Sequence, residues 1–297
     1  MASRLCRSYL FAPGDNEKLL GKVFDAGADA VVLDLEDAVA PARKEQARQM
    51  TAAALQHYDR QGNQQGNGQG AAVYVRLNAG STGLWREDLR AVVHPALRGL
   101  RLAKAESAEE LKQLNEALTE AESRAGLTVG SLTVTPTIES AAGLLAAAEM
   151  AKLPRVEAFA FGATDFLRDI GAELDAAETA TLYARSQLVV VSRAAGLRPP
   201  IASVHTRLQD LEGLRATSEA ARQLGFFGRS CIHPSQLAVI HEVFTPKPEQ
   251  LAEARAMIEA FENAQAAGAG AFALADGQFV DRAVVERARA LVALAEL

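Results

Sequence analysis

The chain has 297 residues, of which 49% are hydrophobic, and a formal net charge of -6. This length suits one α/β barrel or two smaller domains around a large core. The acidic balance, without a basic run interleaved with aromatic residues, argues against nucleic acid as the main partner. No stretch approaches about 18 uninterrupted apolar residues and the start lacks a signal-peptide core, so we expect a cytoplasmic protein without a membrane partner. The two cysteines, Cys6 and Cys231, lie in apolar surroundings and are expected to be buried, reduced thiols.

The first half of the chain alternates between strand-like and helix-like segments. Short apolar and β-branched runs predict strands at residues 7–12, 30–35, 72–77 and 99–103. Helices are predicted at residues 17–26, 41–58, 84–94 and 107–126. Asn16 is a suitable N-cap for the first helix, and Gly126 is expected to end the fourth. Residues 61–70, QGNQQGNGQG, have no apolar anchor and predict a flexible surface loop.

The second half continues the alternation. Residues 132–140 and 158–166 predict the fifth and sixth strands, with a helix at 141–153 between them. Further helices are expected at 180–195, 211–224 and 235–244, and further strands at 200–204 and 228–232. Eight strand and helix units with nearly continuous apolar strands favour an α/β fold of the TIM (β/α)8 barrel type over an open doubly wound sheet. No glycine-rich dinucleotide fingerprint follows the first strand, which also argues against a Rossmann fold.

The barrel is expected to form a catalytic domain over residues 1–245, because Pro246 and Pro248 then interrupt the chain. Residues 246–297 predict a C-terminal extension with a helix at 249–266, a hairpin that turns at Asp276-Gly277, and a final helix that Asp281 can cap. A barrel does not need this segment. We therefore expect the extension to serve as a lid and an oligomer contact.

Two acidic residues end the fifth and sixth predicted strands, Glu139 in TPTIES and Asp165 in FGATDF. In parallel strands joined by a helix, both carboxylates emerge at the same edge of the sheet. Two oxygen ligands without Cys or His nearby suit Mg²⁺, which keeps several waters. The alternative is that Glu139 caps the following helix and Asp165 makes a turn.

Further charged residues follow the second, third and fourth strands. They are Asp34, Glu36, Asp37, Arg76, Lys104 and Glu106. So many charges around one ring of a barrel indicate an ionic substrate and a cation to balance the acids. Arg76 is interpreted as the residue that captures a substrate carboxylate or oxyanion, with a structural ion pair as the alternative. For Lys104, pairing with Glu106 is favoured over a Schiff-base role, because nothing nearby would desolvate the amine.

Several long motifs in this order resemble the citrate lyase β-subunit-like branch of the HpcH/HpaI aldolase superfamily. They are RSYLFAPGD, VVLDLEDAV, VRLN, TPTIESAAG, FGATDF, GFFGRSCIHPSQLAVIHEVFTP and, in the extension, VDRAVVERAR. The resemblance covers nearly the whole chain. Two positions depart from the family pattern, which commonly has Pro in place of Ala103 and an Asp in the seventh strand near Ser203.

The resemblance implies a Mg²⁺-dependent carbon-carbon lyase on a TIM barrel, assembled as a homotrimer or homohexamer. Such enzymes cleave or form a 3-hydroxyacyl thioester, such as citryl-, malyl- or citramalyl-CoA, and give an acyl thioester and a 2-oxo acid. By matching motifs, Glu139 and Asp165 become the metal ligands and Arg76 the substrate arginine. Asp281, from a neighbouring subunit, becomes the acid/base.

The same matching makes Glu36 and Asp37 the residues that order waters on the metal. The predicted substrate-binding residues are Arg76, Glu36, Asp37 and Lys104. Two alternatives stay open for the function. One is a pyruvate- or phosphoenolpyruvate-class aldolase of the same fold that uses no thioester. The other is a β-like binding subunit within an acyl-carrier complex. Detecting a 2-oxo acid released from 3-hydroxyacyl-CoAs in the presence of Mg²⁺ would separate them.

Overall fold

The computed structural model describes residues 5–60, 70–173, 175, 178–266, 271–273 and 279–295. Nearly all of the predicted loop 61–70, and the predicted turn Asp276-Gly277, lie outside the described residues. The chain divides into two compact units, and the boundary between them falls between His241 and Glu242. None of the described helices combines the length and apolarity that a membrane crossing needs.

The first unit is built on a seven-stranded parallel sheet with the strand order β6-β5-β4-β3-β2-β1-β7. The strands are β1 (Ser8–Pro13), β2 (Ala30–Asp34), β3 (Ala72–Leu77), β4 (Leu97–Leu102), β5 (Thr133–Ile138), β6 (Ala160–Phe161) and β7 (Arg229–Cys231). Strands β2 to β4 are almost entirely buried, as expected of a parallel sheet covered by helices. Their continuous apolar runs are the reason that the sequence predicts them well.

The sheet closes through a short eighth segment. Ile201 forms one parallel bridge to Ala160 in β6, and Ala202 forms another to Arg229 in β7. The predicted strand at 200–204 is thus reduced to these bridging residues. The prediction of a TIM (β/α)8 barrel is confirmed, with one of its eight positions filled by isolated bridges.

Helices follow the strands around the first unit. They are α1 (Glu17–Val23), α2 (Lys44–Arg60), α3 (Trp85–Val92), α4 (Ala108–Arg124), α5 (Ala141–Met150), α6 (Ala163–Ile170), α7 (Leu182–Ala194), α8 (Leu211–Leu224) and α9 (Leu237–Phe244), and the boundary between the units falls within α9. Several begin at side-chain caps that satisfy otherwise unpaired N–H groups. Asn16 accepts a hydrogen bond from Leu19 N at 3.1 Å, as predicted, and Asp210 accepts one from Gly213 N at 2.8 Å.

The sixth strand is much shorter than predicted, and the placement of Asp165 at a strand end is wrong. Strand β6 ends at Phe161, and Asp165 lies in the first turn of α6. Gly162 is the N-cap of that helix, and Ala163 N donates to Ser203 Oγ at 3.0 Å. The run AFAFGATDF is too short for its period to reveal where the strand ends and the helix begins.

The barrel interior contains a buried apolar cluster. Tyr9, Val32, Tyr74 and Ile201 belong to one buried cluster, and the Tyr9 and Tyr74 rings are 5.8 Å apart in a tilted arrangement. Burying a large apolar side chain stabilises the fold by about 1.5–3 kcal/mol. Both cysteines lie buried, as expected from the sequence.

The second unit contains two helices and a hairpin. Its elements are α10 (Pro248–Ala266), β8 (Phe272–Ala273), β9 (Phe279–Val280) and α11 (Arg282–Ala295). Phe261, Val280 and Val285 form its buried cluster, and β8 pairs antiparallel with β9. The predicted hairpin and helix are confirmed within the described residues. The domain boundary at 245 and the role as lid and oligomer contact stay predictions.

Candidate active site

The predicted charges on β2 and β3 meet at the carboxyl ends of these strands. Asp34, the last residue of β2, is the register partner of Arg76 in β3, and Arg76 is the partner of Arg101 in β4. Residues in register on parallel strands face the same side of a sheet, so these side chains form one row. The carboxyl ends of the strands are where TIM barrels carry their chemistry.

Asp34 and Arg76 form a bidentate ion pair. Arg76 Nε donates to Asp34 Oδ1 at 2.6 Å, and Nη2 donates to Oδ2 at 2.7 Å. The same carboxylate accepts from Glu36 N at 2.9 Å and from Ala38 N at 3.3 Å. Asp34 therefore fixes both the guanidinium plane and the turn that follows β2.

The rest of the Arg76 guanidinium faces other groups of the site. Its Nη1 lies 3.1 Å from Glu36 Oε2, and its Cζ lies 5.2 Å from the centre of the Phe11 ring. Burial lowers the pKa of Arg76, but Asp34 and Glu36 outweigh that effect, and the net shift is upward. Arg76 is permanently charged, and the N–H groups that remain for a substrate are on Nη1 and the outer side of Nη2.

Lys104 extends from β4 towards the same turn. Its ammonium pairs with Glu36 and lies 3.0 Å from Asp37 Oδ1. The predicted pairing with Glu106 is wrong, because Glu106 Oε1 instead accepts a hydrogen bond from Ser140 Oγ at 2.6 Å. Burial alone would lower the pKa of Lys104, but the bonds to Glu36 and Asp37 raise it, so the amine is protonated.

The backbone of Lys104 has a φ of 47°, in the left-handed region. This conformation costs an L-residue about 1–2 kcal/mol and persists only where the surrounding structure holds it. Here it turns the ammonium towards the loop after β2. The site thus contains a locally unfavourable backbone at a charged residue.

Glu139, directly after β5, is an acid of the site with a buried oxygen that lacks a donor. It is 4% exposed, and no hydrogen-bond donor from the described part of the chain reaches its Oε2. Burial raises the pKa of Glu139 to about 8, which Arg76 and Lys104 counteract and Glu36 and Asp165 reinforce. The alternative that Glu139 caps the next helix is wrong, because Ser140 is the N-cap of α5.

Gly162 brings the helix that carries Asp165 close to Glu139. A Cβ at this position would lie 2.6 Å from Glu139 Cγ, which no side chain could tolerate without movement. Asp165 follows in the first turn of α6 and pairs with the exposed Arg168 at 2.7 Å. Its influence on the pKa of Glu139 places the two carboxylates within electrostatic reach.

These two carboxylates fit a hard divalent cation. Glu139 offers a buried oxygen without a donor, and Asp165 offers an oxygen held only by a surface arginine. Within the described ranges, no group of three or more His, Cys, Asp or Glu could hold a metal together. A cation here therefore needs water or substrate oxygens to complete its shell, as Mg²⁺ commonly does.

Two side chains that support the site were not found from the sequence. Lys44 Nζ donates to Leu35 O and Glu36 O, both at 2.7 Å, and so braces the turn after β2. Arg101 is fully buried in the barrel, donates to Ser230 Oγ at 3.0 Å, and lies 4.5 Å from the Tyr9 ring centre. The one sequence signal for Arg101 is its position in the predicted fourth strand, where it lies opposite Arg76 of the third strand.

Asp281 belongs to the second unit. Its Oδ1 accepts a hydrogen bond from Val284 N at 3.0 Å at the start of α11. This bond agrees with the predicted capping role. The role as acid/base from a neighbouring subunit stays a prediction.

Replacing Glu139 with glutamine is expected to stabilise the metal-free protein at high pH. The pKa of Glu139 in the folded state is about 8 and lies above the normal value, so its contribution to stability is present at low pH and is lost as the pH rises through 8. Glu139→Gln, which cannot ionise, should gain roughly 1–3 kcal/mol at high pH in EDTA. Denaturant unfolding between pH 5 and pH 9 measures the difference.

Glu122 provides the matched control for this prediction. It is also a buried glutamate, but Arg155 Nη2 donates to its Oε2 at 2.7 Å and Leu132 N to its Oε1 at 2.8 Å. Glu122→Gln should therefore lose roughly 3 kcal/mol, because it leaves a buried guanidinium without its partner. A Glu139→Gln protein that is also less stable at high pH would contradict the unpaired state of Glu139.

Comparison with known proteins places this geometry in a family. The HpcH/HpaI aldolase/citrate lyase family model matches residues 7–234. Citrate lyase subunit beta of Leuconostoc mesenteroides subsp. cremoris is 34% identical to this chain, over 98% of this chain and 94% of its own length. Mitochondrial citramalyl-CoA lyase of Rattus norvegicus is 33% identical, over 97% of this chain and 86% of its own.

Solved structures agree with the fold and with the class of ligand. The CitE protein of Mycobacterium tuberculosis, in complex with magnesium, acetoacetate and coenzyme A, has a TM-score of 0.76 at 29% identity and matches 100% of this chain and 99% of its own. The citrate lyase beta subunit of the same organism, complexed with oxaloacetate and magnesium, has a TM-score of 0.66 at 29% identity over 82% and 98%. The predicted family is confirmed, and this chain belongs to the HpcH/HpaI aldolase/citrate lyase family.

Proposed function

We propose that this chain is a Mg²⁺-dependent carbon-carbon lyase that cleaves or forms a 3-hydroxyacyl thioester, with an acyl thioester and a 2-oxo acid as the other partners. The observation that carries this proposal is the buried Glu139 oxygen without a donor, beside Arg76 at the mouth of the barrel. A cation bound there would neutralise the charge of the Glu139 carboxylate. Arg76 would still offer N–H groups to an anionic substrate.

The class of the reaction is confirmed by the relatives. They include a citrate lyase subunit and a citramalyl-CoA lyase, both of which are lyases. The predicted Mg²⁺ cofactor is confirmed at the same level, because the similar structures hold magnesium together with small oxo acids. The choice among citryl, malyl and citramalyl thioesters is a finer question.

Glu139 and Asp165 are the residues that would hold the metal. When bound, Mg²⁺ supplies Lewis-acid polarisation of an oxygen of the 2-oxo acid. The chain contributes the placement of the ligands: Glu139 is fixed by its burial after β5, and Asp165 by the tight approach at Gly162. We assign the ordering of metal-bound water to Glu36 and Asp37, which follow β2.

Arg76 supplies fixed positive charge for the oxyanion of the acyl-thioester enolate. Because Asp34 already holds its Nε and Nη2, the guanidinium does not have to reorganise when charge develops on the substrate. Lys104 is occupied by Glu36 and Asp37 and stays protonated, which suits electrostatic substrate binding rather than a Schiff base. The carbon of the enolate also needs a proton donor, which we assign to Asp281 of a neighbouring subunit.

Assembly and location are further parts of the proposal. A site that takes Asp281 from another subunit requires an oligomer, and we propose a homotrimer or homohexamer. We propose a cytoplasmic location, where the buried thiols of Cys6 and Cys231 would remain reduced. Light scattering of the purified protein would measure its mass in solution.

A second candidate is a subunit that acts on a thioester of an acyl-carrier protein. The name of the Leuconostoc relative favours it, because that protein is a subunit of citrate lyase. The site described here would serve either thioester, since the carboxylates address the oxo-acid half of the substrate and Arg76 addresses the enolate oxygen that both thioesters share. An aldolase of the pyruvate or phosphoenolpyruvate class, without a thioester, is the remaining alternative.

The purified chain with Mg²⁺ is expected to release a 2-oxo acid from at least one 3-hydroxyacyl-CoA. Citryl-CoA would give oxaloacetate, malyl-CoA glyoxylate, and citramalyl-CoA pyruvate, each with acetyl-CoA. Coupled dehydrogenase assays detect these oxo acids, and Glu139→Gln serves as the inactive control. Cleavage of a carrier-bound thioester alone would support the second candidate, and activity only on free aldol substrates would refute a thioester lyase.

Arg76→Lys is expected to lower kcat/KM by at least about tenfold, or about 1.4 kcal/mol. Lysine keeps the charge but cannot bind both oxygens of Asp34 and still present oriented donors to the substrate. Arg124→Lys is the matched control, because Arg124 is 71% exposed and pairs only with Glu120 on the surface of α4. If Arg76→Lys and the control behave alike, Arg76 has only a structural role.

Mixed oligomers test the assignment of Asp281. Asp281→Ala and Arg76→Ala chains should each be inactive, and co-assembly should restore part of the activity if the two residues come from different subunits. Mass measurement verifies that the hybrids form. Normal turnover by Asp281→Ala alone, together with inactive hybrids, would leave Asp281 as a helix cap that contributes about 1 kcal/mol to stability.

A further inference from the structure

A second group of buried charges lies outside the candidate active site. Arg229 comes from β7, Arg185 from α7, and Glu178 from the turn before α7. All three line one small cavity between the barrel wall and the helices. The cavity is also lined by Phe161, Ala163, Ala202, Ser203, Thr217, Ala221 and Phe226.

Both arginines have unused hydrogen-bonding capacity. Arg229 is 2% exposed, and its Nη1 donates to Ser218 Oγ at 3.0 Å. Arg185 donates from Nη1 to Glu178 Oε2 at 2.7 Å and from Nη2 to Glu178 O at 3.2 Å. The buried Nε of each arginine has no acceptor among the described residues.

The charges around the cavity do not balance. Two guanidinium groups face it, and Glu178 is the only acidic residue among the described lining residues. The undescribed residues just before Glu178 are Leu174, Ala176 and Ala177, none of which carries a charge. Burial lowers the pKa of Arg229 to about 10, so this arginine is still protonated at neutral pH. One buried positive charge is therefore left without a counter-charge.

We propose that this cavity binds one small monovalent anion of the halide class, such as chloride. Such an anion would accept hydrogen bonds from guanidinium N–H groups of the two arginines and neutralise the excess charge. A water molecule would satisfy the donors but would leave the charge uncompensated, which is unfavourable in a buried site. The space is of the order of one water molecule, so sulfate, phosphate and organic carboxylates are excluded by size.

Crystals of the full-length protein soaked in sodium bromide test the site directly, because bromide scatters anomalously. The expected result is an anomalous peak in the cavity, within hydrogen-bonding distance of guanidinium nitrogens of both Arg185 and Arg229. The peak should be absent from crystals of Arg229→Gln. A cavity without a peak, or a peak that persists in the variant, would overturn the proposal.

Thermal unfolding tests whether the site is filled in solution. At constant ionic strength, replacing sodium gluconate with sodium chloride should raise Tm to a plateau, by about 5 °C at roughly 100 times Kd. Arg229→Gln should lose this response, while Arg124→Gln, the same change on an exposed arginine, should keep it. A wild-type Tm that does not respond to chloride would mean an adventitious ion only, at crystal concentration.

Ala202→Asp gives an independent test that keeps the arginine. Ala202 lines the cavity and is the bridge partner of Arg229, so an aspartate there places a carboxylate beside the guanidinium. This variant should have a higher Tm than wild type in gluconate and no response to chloride. Ala202→Asn, with the same shape and no charge, should not show the gain. A response to chloride that is unchanged in Ala202→Asp would place the anion elsewhere and overturn the proposal.

Discussion

The bidentate ion pair between Asp34 and Arg76 is the interaction on which the rest of the site depends. Asp34 accepts two bonds from the guanidinium and two from the backbone of the turn after β2. That turn carries Glu36, which in turn contacts both Arg76 and Lys104. A carboxylate that accepts two bonds fixes the plane of the guanidinium as well as its distance. The orientation of the Arg76 donors that face the substrate is therefore set by Asp34 of β2 and not by β3 alone. Adjacent parallel strands in register make this arrangement possible.

Glu139 differs from Asp34 and Glu36, because its buried Oε2 receives no hydrogen bond from the described part of the chain. A buried glutamate elsewhere in the barrel, Glu122, is surrounded by donors. The difference shows that the fold can satisfy a buried glutamate, and that at Glu139 it does not. An unsatisfied carboxylate raises the free energy of the metal-free protein and at the same time increases the gain on binding a cation. Glu139 therefore lowers the stability of the metal-free protein and increases its affinity for the metal.

The sequence predicts the first five strands and most of the helices, because their apolar periods and caps are local signals. It misplaces Asp165, since AFAFGATDF is too short to show a period and only Gly162 marks the change from β6 to α6. The partners of Lys104 were also missed, because Glu36 and Asp37 are distant from it in sequence, whereas Glu106 is near. The buried Arg101 and Arg229 could not be predicted. Their surroundings come from strands and helices that are distant in sequence, and a strand pattern does not tell which face an arginine occupies.

The eighth position of the barrel is filled by single bridges rather than by a strand. Strands β1 and β2 pair along five residues, whereas Ile201 and Ala202 each make a single bridge to their neighbours. The backbone groups of this short segment are still paired, because Ile201 N donates to Phe159 O at 2.8 Å and Ala202 N donates to Gly228 O at 3.0 Å. Glu139 follows β5, whereas α6, which carries Asp165, is joined to the short segment through Ser203. The two carboxylates that we propose as metal ligands therefore depend on different parts of the barrel wall, so a change at Ser203 would shift Asp165 and leave Glu139 and the frame that Asp34 maintains in place.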